Sequence, residues 1–270
     1  MTRLFADHTS AQIAATAGHA TLLIPVGAIE QHGPHLPVSV DSLMAEHVAL
    51  EAARRACESS DHRILVAPVL SFGSSHHHLP RSGTLSLRSS TLMAVLDDLL
   101  VSAVRGGFRS LVVLNGHGGN QDLVHQAVRD VVLRHHVRAA ATSYWTPAWE
   151  RLVGEARARG IGPVPGHAGS FETSLMLFLR PDLIDKALIP ATPVAGEWSS
   201  AHPLSRPVIE EHGWVDKLGG YTDGATAASA EAGGVFVEET VEAVTAFLRE
   251  FCSGQPEHDD PDQEEVKCGA

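Results

Sequence analysis

The chain has 270 residues, 44% of them hydrophobic and 19% charged, with a formal net charge of −12. That length suits one α/β domain with a substantial core, and the composition reads as globular rather than disordered. The acidic balance argues against the clustered basic face of a nucleic-acid binder, and no apolar run reaches the roughly 18 residues of a membrane span.

The three cysteines, Cys57, Cys252 and Cys268, are scattered and form no C-x-x-C pair. This speaks against a disulfide framework and against a thiolate zinc site. Met1 to His8 lacks the apolar stretch of a signal peptide, so a cytoplasmic protein is expected.

In chain order, Thr9-Ser10 can cap a short helix. Ala20 to Val26 reads as a buried strand. A helix opens at Asp41 and runs to about Cys57, and Arg63 to Val69 reads as the next strand. Ser90 to Val104 is an amphipathic helix, with Leu92, Val95, Leu96, Leu99 and Leu100 near a 3.6-residue period; Gly106-Gly107 ends it. Ser110 to Leu114 is a short strand, Gln121 to His135 a helix capped by Asn120, and Val137 to Tyr144 a strand. Glu172 to Leu179 is helical. Asp182 to Asp223, rich in Pro, Gly and His, reads as a long loop that shapes or covers a site. A terminal helix spans Glu231 to Phe251, weakened near Gly233-Gly234. Strands alternating with helices predict one α/β domain over 1–252, with a mostly parallel sheet covered on both faces. Residues 253–270 carry Glu257, Asp259, Asp260, Asp262, Glu264 and Glu265 against Lys267, and are expected to form an acidic, disordered tail.

Polar clusters follow the strands, where such sheets place ligands. After the first strand comes Gly27-Ala28-Ile29-Glu30-Gln31-His32-Gly33-Pro34-His35-Leu36-Pro37. Glu30 and His32 lie two apart, so in an extended segment both point to one side. Asp41 then arrives as either a helix cap or a ligand. Carboxylate and imidazole donors suit divalent zinc, manganese or iron. After the Ser110 strand comes Asn115-Gly116-His117-Gly118-Gly119-Asn120. His117 is either a surface histidine in a tight turn or a ligand, and Gly118 and Gly119 leave the main chain open to a substrate.

The third cluster is Gly166 to Ser174. Glu172 opens an apolar helix, where a carboxylate either meets the helix N-terminus or needs a partner or a metal. His167 is a ligand, a proton shuttle or structural. Side chains of the triplet His76-His77-His78 alternate in direction, so the three are not expected to converge on one ion; His78 is taken to line the pocket. Trp145 and Trp149 either stack on a planar substrate or pack in the core.

Taken together, Gly27–Asp41, Gly83-Thr84-Leu85-Ser86-Leu87, Asn115–Asn120 and His167–Met176 resemble the creatininase family over about Leu22 to Asp185. The resemblance implies a three-layer α/β/α sandwich and two divalent ions, zinc first, with manganese or iron as alternatives. It implies metal ligation by Glu30, His32, Asp41 and His117, with Asp41 bridging, and proton transfer by His167. The chain departs from creatininase at Gly119 and Gly166, where that enzyme has glutamates, which argues against creatinine as the substrate. Relatives with the His-Gly-Gly-Asn form include formamide hydrolases and peptide-maturing hydrolases, and in these Glu172 is expected to complete the metal set and join the catalytic residues. The expected activity is hydrolysis of an amide, cyclic amide or formamide in a small molecule. The alternatives are trimming of a modified peptide and a non-catalytic metal-binding role. A homo-oligomer without nucleic-acid or membrane partners is expected.

Overall fold

The computed structural model describes residues 3–58, 63–191 and 214–254. Thr9 caps α1 (Ser10–Ala14) in a reciprocal capping box with Gln12. There follow β1 (Ala20–Val26), α2 (Val40–Glu58), β2 (Arg63–Val66), α3 (Ser89–Arg105), β3 (Ser110–Asn115), α4 (Gln121–Arg134) and β4 (Arg138–Ser143). The chain continues through α5 (Trp149–Ala158), α6 (Ser170–Leu179), α7 (Trp214–Lys217) and α8 (Ala230–Ser253). No helix among the described residues is long and apolar enough to cross a membrane.

The four strands are all parallel, in the order β2-β1-β3-β4. Side-chain alternation along them divides the core in two. Leu23, Ile64, Val66, Val112 and Leu114 pack with residues of α2, α5, α6 and α8. Leu22, Ile24, Leu65, Leu111 and Val113 pack with residues of α3 and α4. The result is the expected α/β/α sandwich. From β1 the chain moves outward to β2, then returns beyond β1 to β3, so the order reverses between β1 and β3. Open parallel sheets bind ligands in the crevice at such a reversal, beyond the carboxyl ends of the strands.

Several local expectations change. β2 stops at Val66, and the chain keeps to β1 through Ala67 N–H to Leu23 O and Leu70 N–H to Pro25 O; Pro68 between them has no N–H for a regular ladder. α5 adds a helix to those read from the sequence; it buries Trp149, Leu152 and Ala156 on one face. α6 begins two residues before Glu172, which places that carboxylate inside the first turn. α8 is continuous through Gly233. A Cβ there would lie 1.9 Å from the Ser174 carbonyl, so the glycine serves close contact of α8 with α6. Within the expected loop Asp182 to Asp223, residues 192–213 lie outside the described residues. The expected tail does too from residue 255 onward, and α8 itself reaches Ser253.

Candidate metal centre

At the β1–β3 crevice three carboxylates and several imidazoles meet. Glu30, Asp41 and Glu172 are 1%, 4% and 5% exposed, and His32 and His117 are also buried. Among the described residues, the ion-pair partners of these three carboxylates are all histidines. Buried carboxylates without a compensating cation are costly.

The two oxygens of Asp41 face different donors: Oδ1 lies 3.4 Å from His32 Nε2, and Oδ2 lies 3.1 Å from His117 Nδ1. Glu172 Oε2 lies 3.7 Å from His32 Nε2, and Glu30 Oε2 lies 3.2 Å from His117 Nδ1. Each imidazole has its far nitrogen committed. His32 Nδ1 donates to the Glu30 carbonyl at 3.1 Å, and His117 Nε2 to the Ser74 carbonyl at 3.2 Å. A carbonyl only accepts, so in the neutral ring the nitrogen facing the carboxylates carries a lone pair. Lone pair against carboxylate is repulsive unless a cation stands between them, and metal-bound histidines are oriented in this way.

The same demand for positive charge appears in the protonation equilibria. Burial disfavours the charged form of His117, yet Glu30 and Asp41 outweigh it and push its pKa up to about 10. His32 is likewise raised well above its usual value, against burial, by Asp41 and Glu172. Burial tends to raise Asp41, but His32 and His117 hold it well below the usual carboxylate range. Glu172 is raised, chiefly by burial.

The donor set fits divalent ions. Glu30 Oε2, Asp41 Oδ2 and His32 Nε2 are buried, and among the described residues no well-formed hydrogen bond reaches them. The spacings between the imidazole nitrogens of His32 and His117 and the carboxylate oxygens they face, 3.1 to 3.7 Å, bracket the edge of roughly 3.4 Å expected for tetrahedral donors about 2.1 Å from a zinc ion. His32, Asp41 and Glu172 form one group of converging donors; Glu30 forms further groups with His77 and His117 and with His32 and His167.

Local structure explains the convergence. Asp41 sits in the first turn of α2 rather than at its cap. A Cβ at Gly116 would lie 2.4 Å from the Asp41 carbonyl, so the β3 turn and α2 touch through backbone. Asn115 brackets the His117 backbone, donating to its carbonyl at 2.7 Å and accepting from its N–H at 3.1 Å. Asn120, expected as a helix cap, instead accepts from Ser74 N–H and donates to the Gly27 carbonyl, joining the loops that follow β1 and β2 to the β3 turn. The Gly83–Leu87 motif is a brace. Leu85 N–H bonds to the Ile29 carbonyl, and Thr84 Oγ1 accepts from Gln31 N–H and donates to the His78 carbonyl. Ala168 is left-handed, with φ 49°, and its N–H donates to Glu172 Oε2 at 2.5 Å.

Glu30, His32, Asp41, His117, His167, Glu172 and His78 thus come together. His78 Nε2 lies 3.2 Å from Glu30 Oε1, and His167 Nδ1 lies 3.6 Å from the same oxygen. His167 Nε2 is 2.9 Å from both the carbonyl and the side-chain amide of Gln31. Burial, reinforced by His32, His78 and His117, holds His167 well below its usual pKa, so it is neutral at neutral pH. Gly118 and Gly119 are exposed at the rim. A Cβ at Gly119 would lie 2.4 Å from the Ser74 carbonyl and 2.6 Å from His117 Nε2, so the backbone there excludes a glutamate in this conformation. Of the two readings of Trp145, the core one fits and the substrate-stacking one does not: it is 4% exposed, in the main core, edge-on to Tyr144 at 4.8 Å.

Two residues take places that the sequence does not assign them. Gln31 accepts from Gly33 N–H, which fixes its amide, and donates to His78 Nδ1 at 2.8 Å. His78 Nε2 therefore carries the hydrogen that points to Glu30. His77 lies on a 3-10 turn, His76–His78, which turns it and His78 inward while His76 stays exposed. The alternation assumed for the triplet holds for an extended chain and fails on a turn.

The sequence model of the creatininase family, described as creatinine amidohydrolase, matches residues 6–248. The chain is 31% identical to the creatinine amidohydrolase of Pseudomonas putida, over 87% of this chain and 90% of that protein. It is 33% identical to the mycofactocin precursor peptide peptidase of Mycolicibacterium smegmatis, over 80% of each. Two solved creatininases, one a manganese form and one a variant of Zn-Zn type, each align with a TM-score of 0.73 at 28% identity, covering 93% of this chain and 98% of theirs.

Proposed function

The chain belongs to the creatininase family, and from that membership and the geometry of the centre we propose a metal-dependent hydrolase of an amide, cyclic amide or formamide C–N bond in a small molecule. The observation that carries this reading is the convergence of three buried carboxylates on two imidazoles whose far nitrogens are committed to backbone carbonyls. Glu30, Asp41 and His117 would hold one divalent ion and His32, Asp41 and Glu172 a second, with Asp41 shared. Zinc is the first candidate, and manganese or iron suit the same donors. Such ions, when bound, lower the pKa of a water and polarise a carbonyl.

The chain's own groups do the rest. His167, neutral and with Nδ1 towards Glu30, takes the proton that water loses as it adds to the carbonyl carbon. The same nitrogen returns that proton to the departing nitrogen, so the C–N bond breaks without expelling an amide anion. Glu30 Oε1 lies near enough to stabilise the transient imidazolium. His78, set by Gln31, holds that carboxylate from the other side. Gly118 and Gly119 leave the main chain accessible to the substrate. Beside the centre lies a cleft of about 300 Å³, bounded by Gln31, Gly33, Arg81, Ser82 and Tyr221 among others, a volume suited to a small molecule.

Identity to a peptide peptidase favours a second reading, cleavage of a peptide bond by the same chemistry. Metal-loaded protein should be offered an N-formyl amine, a primary carboxamide, creatinine and a peptide, with products followed by mass spectrometry. Chelator-sensitive hydrolysis of the formamide or carboxamide is the expected result. Turnover of the peptide alone would move the assignment to the second reading, and stoichiometric metal binding with no turnover on a broad panel would support a non-catalytic binder.

A further inference from the structure

Within the centre just assigned, His77 has no role, yet three observations place it there. Its ring and that of His117 are nearly parallel, 7° apart with centroids separated by 5.6 Å. Ligand atoms of Glu30, His77 and His117 all lie within 4.8 Å of one another. The space beside His117 is shared with Gly119, where a Cβ would come within 3.0 Å of His77 Cε1. A side chain at 119 would compete with the imidazole; the glycine leaves the room to His77. The turn that carries His77 is fixed at both ends: Ser75 N–H bonds to Ser86 Oγ at 2.8 Å, and the His78 carbonyl accepts from Thr84 at 3.1 Å.

We propose that His77 is a fourth protein ligand to the ion held by Glu30, Asp41 and His117. Donors around a zinc ion stand roughly 3.4 Å apart, so the ring must close by at most roughly 1.4 Å, within reach of a side-chain rotation. The two ions then differ in kind. One, with Glu30, Asp41, His117 and His77, has a full set of protein donors, as structural zinc sites do; the other, with His32, Asp41 and Glu172, has three and an open position, as catalytic sites do. The ring of His167 lies 4.5 Å from that of His32. The closed ion orients Asp41 and Glu30, and chemistry belongs to the His32 ion. An added imidazole also shifts the closed site towards zinc and away from manganese, which prefers oxygen donors.

The inference rests on the two-ion reading, and the experiment separates them. Chelator-treated full-length protein is titrated with zinc against a chromophoric competitor, for wild type, His77→Ala, His77→Gln and the exposed control His76→Ala. Circular dichroism reports folding, and cobalt(II) absorption reports coordination number. The expected result is two zinc ions per chain in wild type and in His76→Ala. Both His77 variants should lose at least about tenfold affinity at one site only, because even loss of a group behind a ligand typically costs that much; the tetrahedral cobalt absorption of that site should fall as well. Superimposable isotherms and spectra for wild type and the folded His77→Gln variant would overturn the role of His77 while leaving the centre intact. Fewer than two ions in wild type would overturn the two-ion centre itself, and His77's place with it.

Discussion

His32 and His117 reach the centre from different strand ends and are set in the same manner, a backbone carbonyl on the far nitrogen and carboxylates on the near one. In the metal-free protein protons must supply the charge that ions would supply. The pKa of His117, near 6.5 in an unfolded chain, is about 10 in the fold. Its contribution to stability is therefore complete below pH 6.5 and disappears as pH rises to about 10. The melting temperature of chelated protein should fall over that window and that of zinc-loaded protein should not; parallel curves would show that metal and proton do not compete there. Zinc affinity should correspondingly rise with pH as both imidazoles release their protons. Asp41→Ala should lose both ions, and Glu172→Gln should weaken one; unchanged metal content in Asp41→Ala would return Asp41 to a structural role. His167→Ala should keep both ions and the fold and lose ~10²–10⁴-fold in turnover. Loss of an ion instead would make His167 a ligand, and full activity would hand the proton transfer to water or to His78.

Among the elements, those with an uninterrupted signal were legible in the sequence. β1 runs from Ala20 to Val26 as its apolar run suggests, because a central parallel strand is buried on both faces. α3 differs from expectation by one residue at each end and α4 by one residue at its C-terminal end, since their amphipathic periods are strong. α5 was hidden because only Trp149, Leu152 and Ala156 mark its buried face among charged residues. Asn120 looked like a cap, and tertiary contacts with Ser74 and Gly27 claim it instead. At the centre, residues carried by strand ends could be anticipated, whereas His77 and Gln31 depend on how a turn after β2 folds back, which no local pattern encodes. Gly233 reads in sequence only as a weak point of the terminal helix; its value lies in the α6 contact, invisible from α8 alone. Gly233→Ala should therefore destabilise the fold by about 1–3 kcal/mol, or roughly 2–10 °C in melting temperature at this size. A change below 1 °C would mean that the helices separate freely. Because α6 carries Glu172, zinc affinity should fall in the same variant.

For the molecule as a whole, the net charge of −12 coexists with a centre that gathers carboxylates around an expected pair of cations. The acidic residues after Gly254 have few apolar neighbours in sequence, and truncation there should leave melting temperature and metal content unchanged; a marked drop would show that the segment docks. We expect a homo-oligomer, which light scattering on the full chain can check. If paired divalent ions at the β1–β3 crevice make this chain a hydrolase, its activity must follow its metal content. The protein is stripped of metal and assayed for amide and formamide hydrolysis, and the assay is repeated as zinc is restored stepwise with content determined by mass spectrometry. The expected result is no turnover in the stripped protein and recovery that saturates at two ions per chain. Full turnover in rigorously metal-free protein would contradict it.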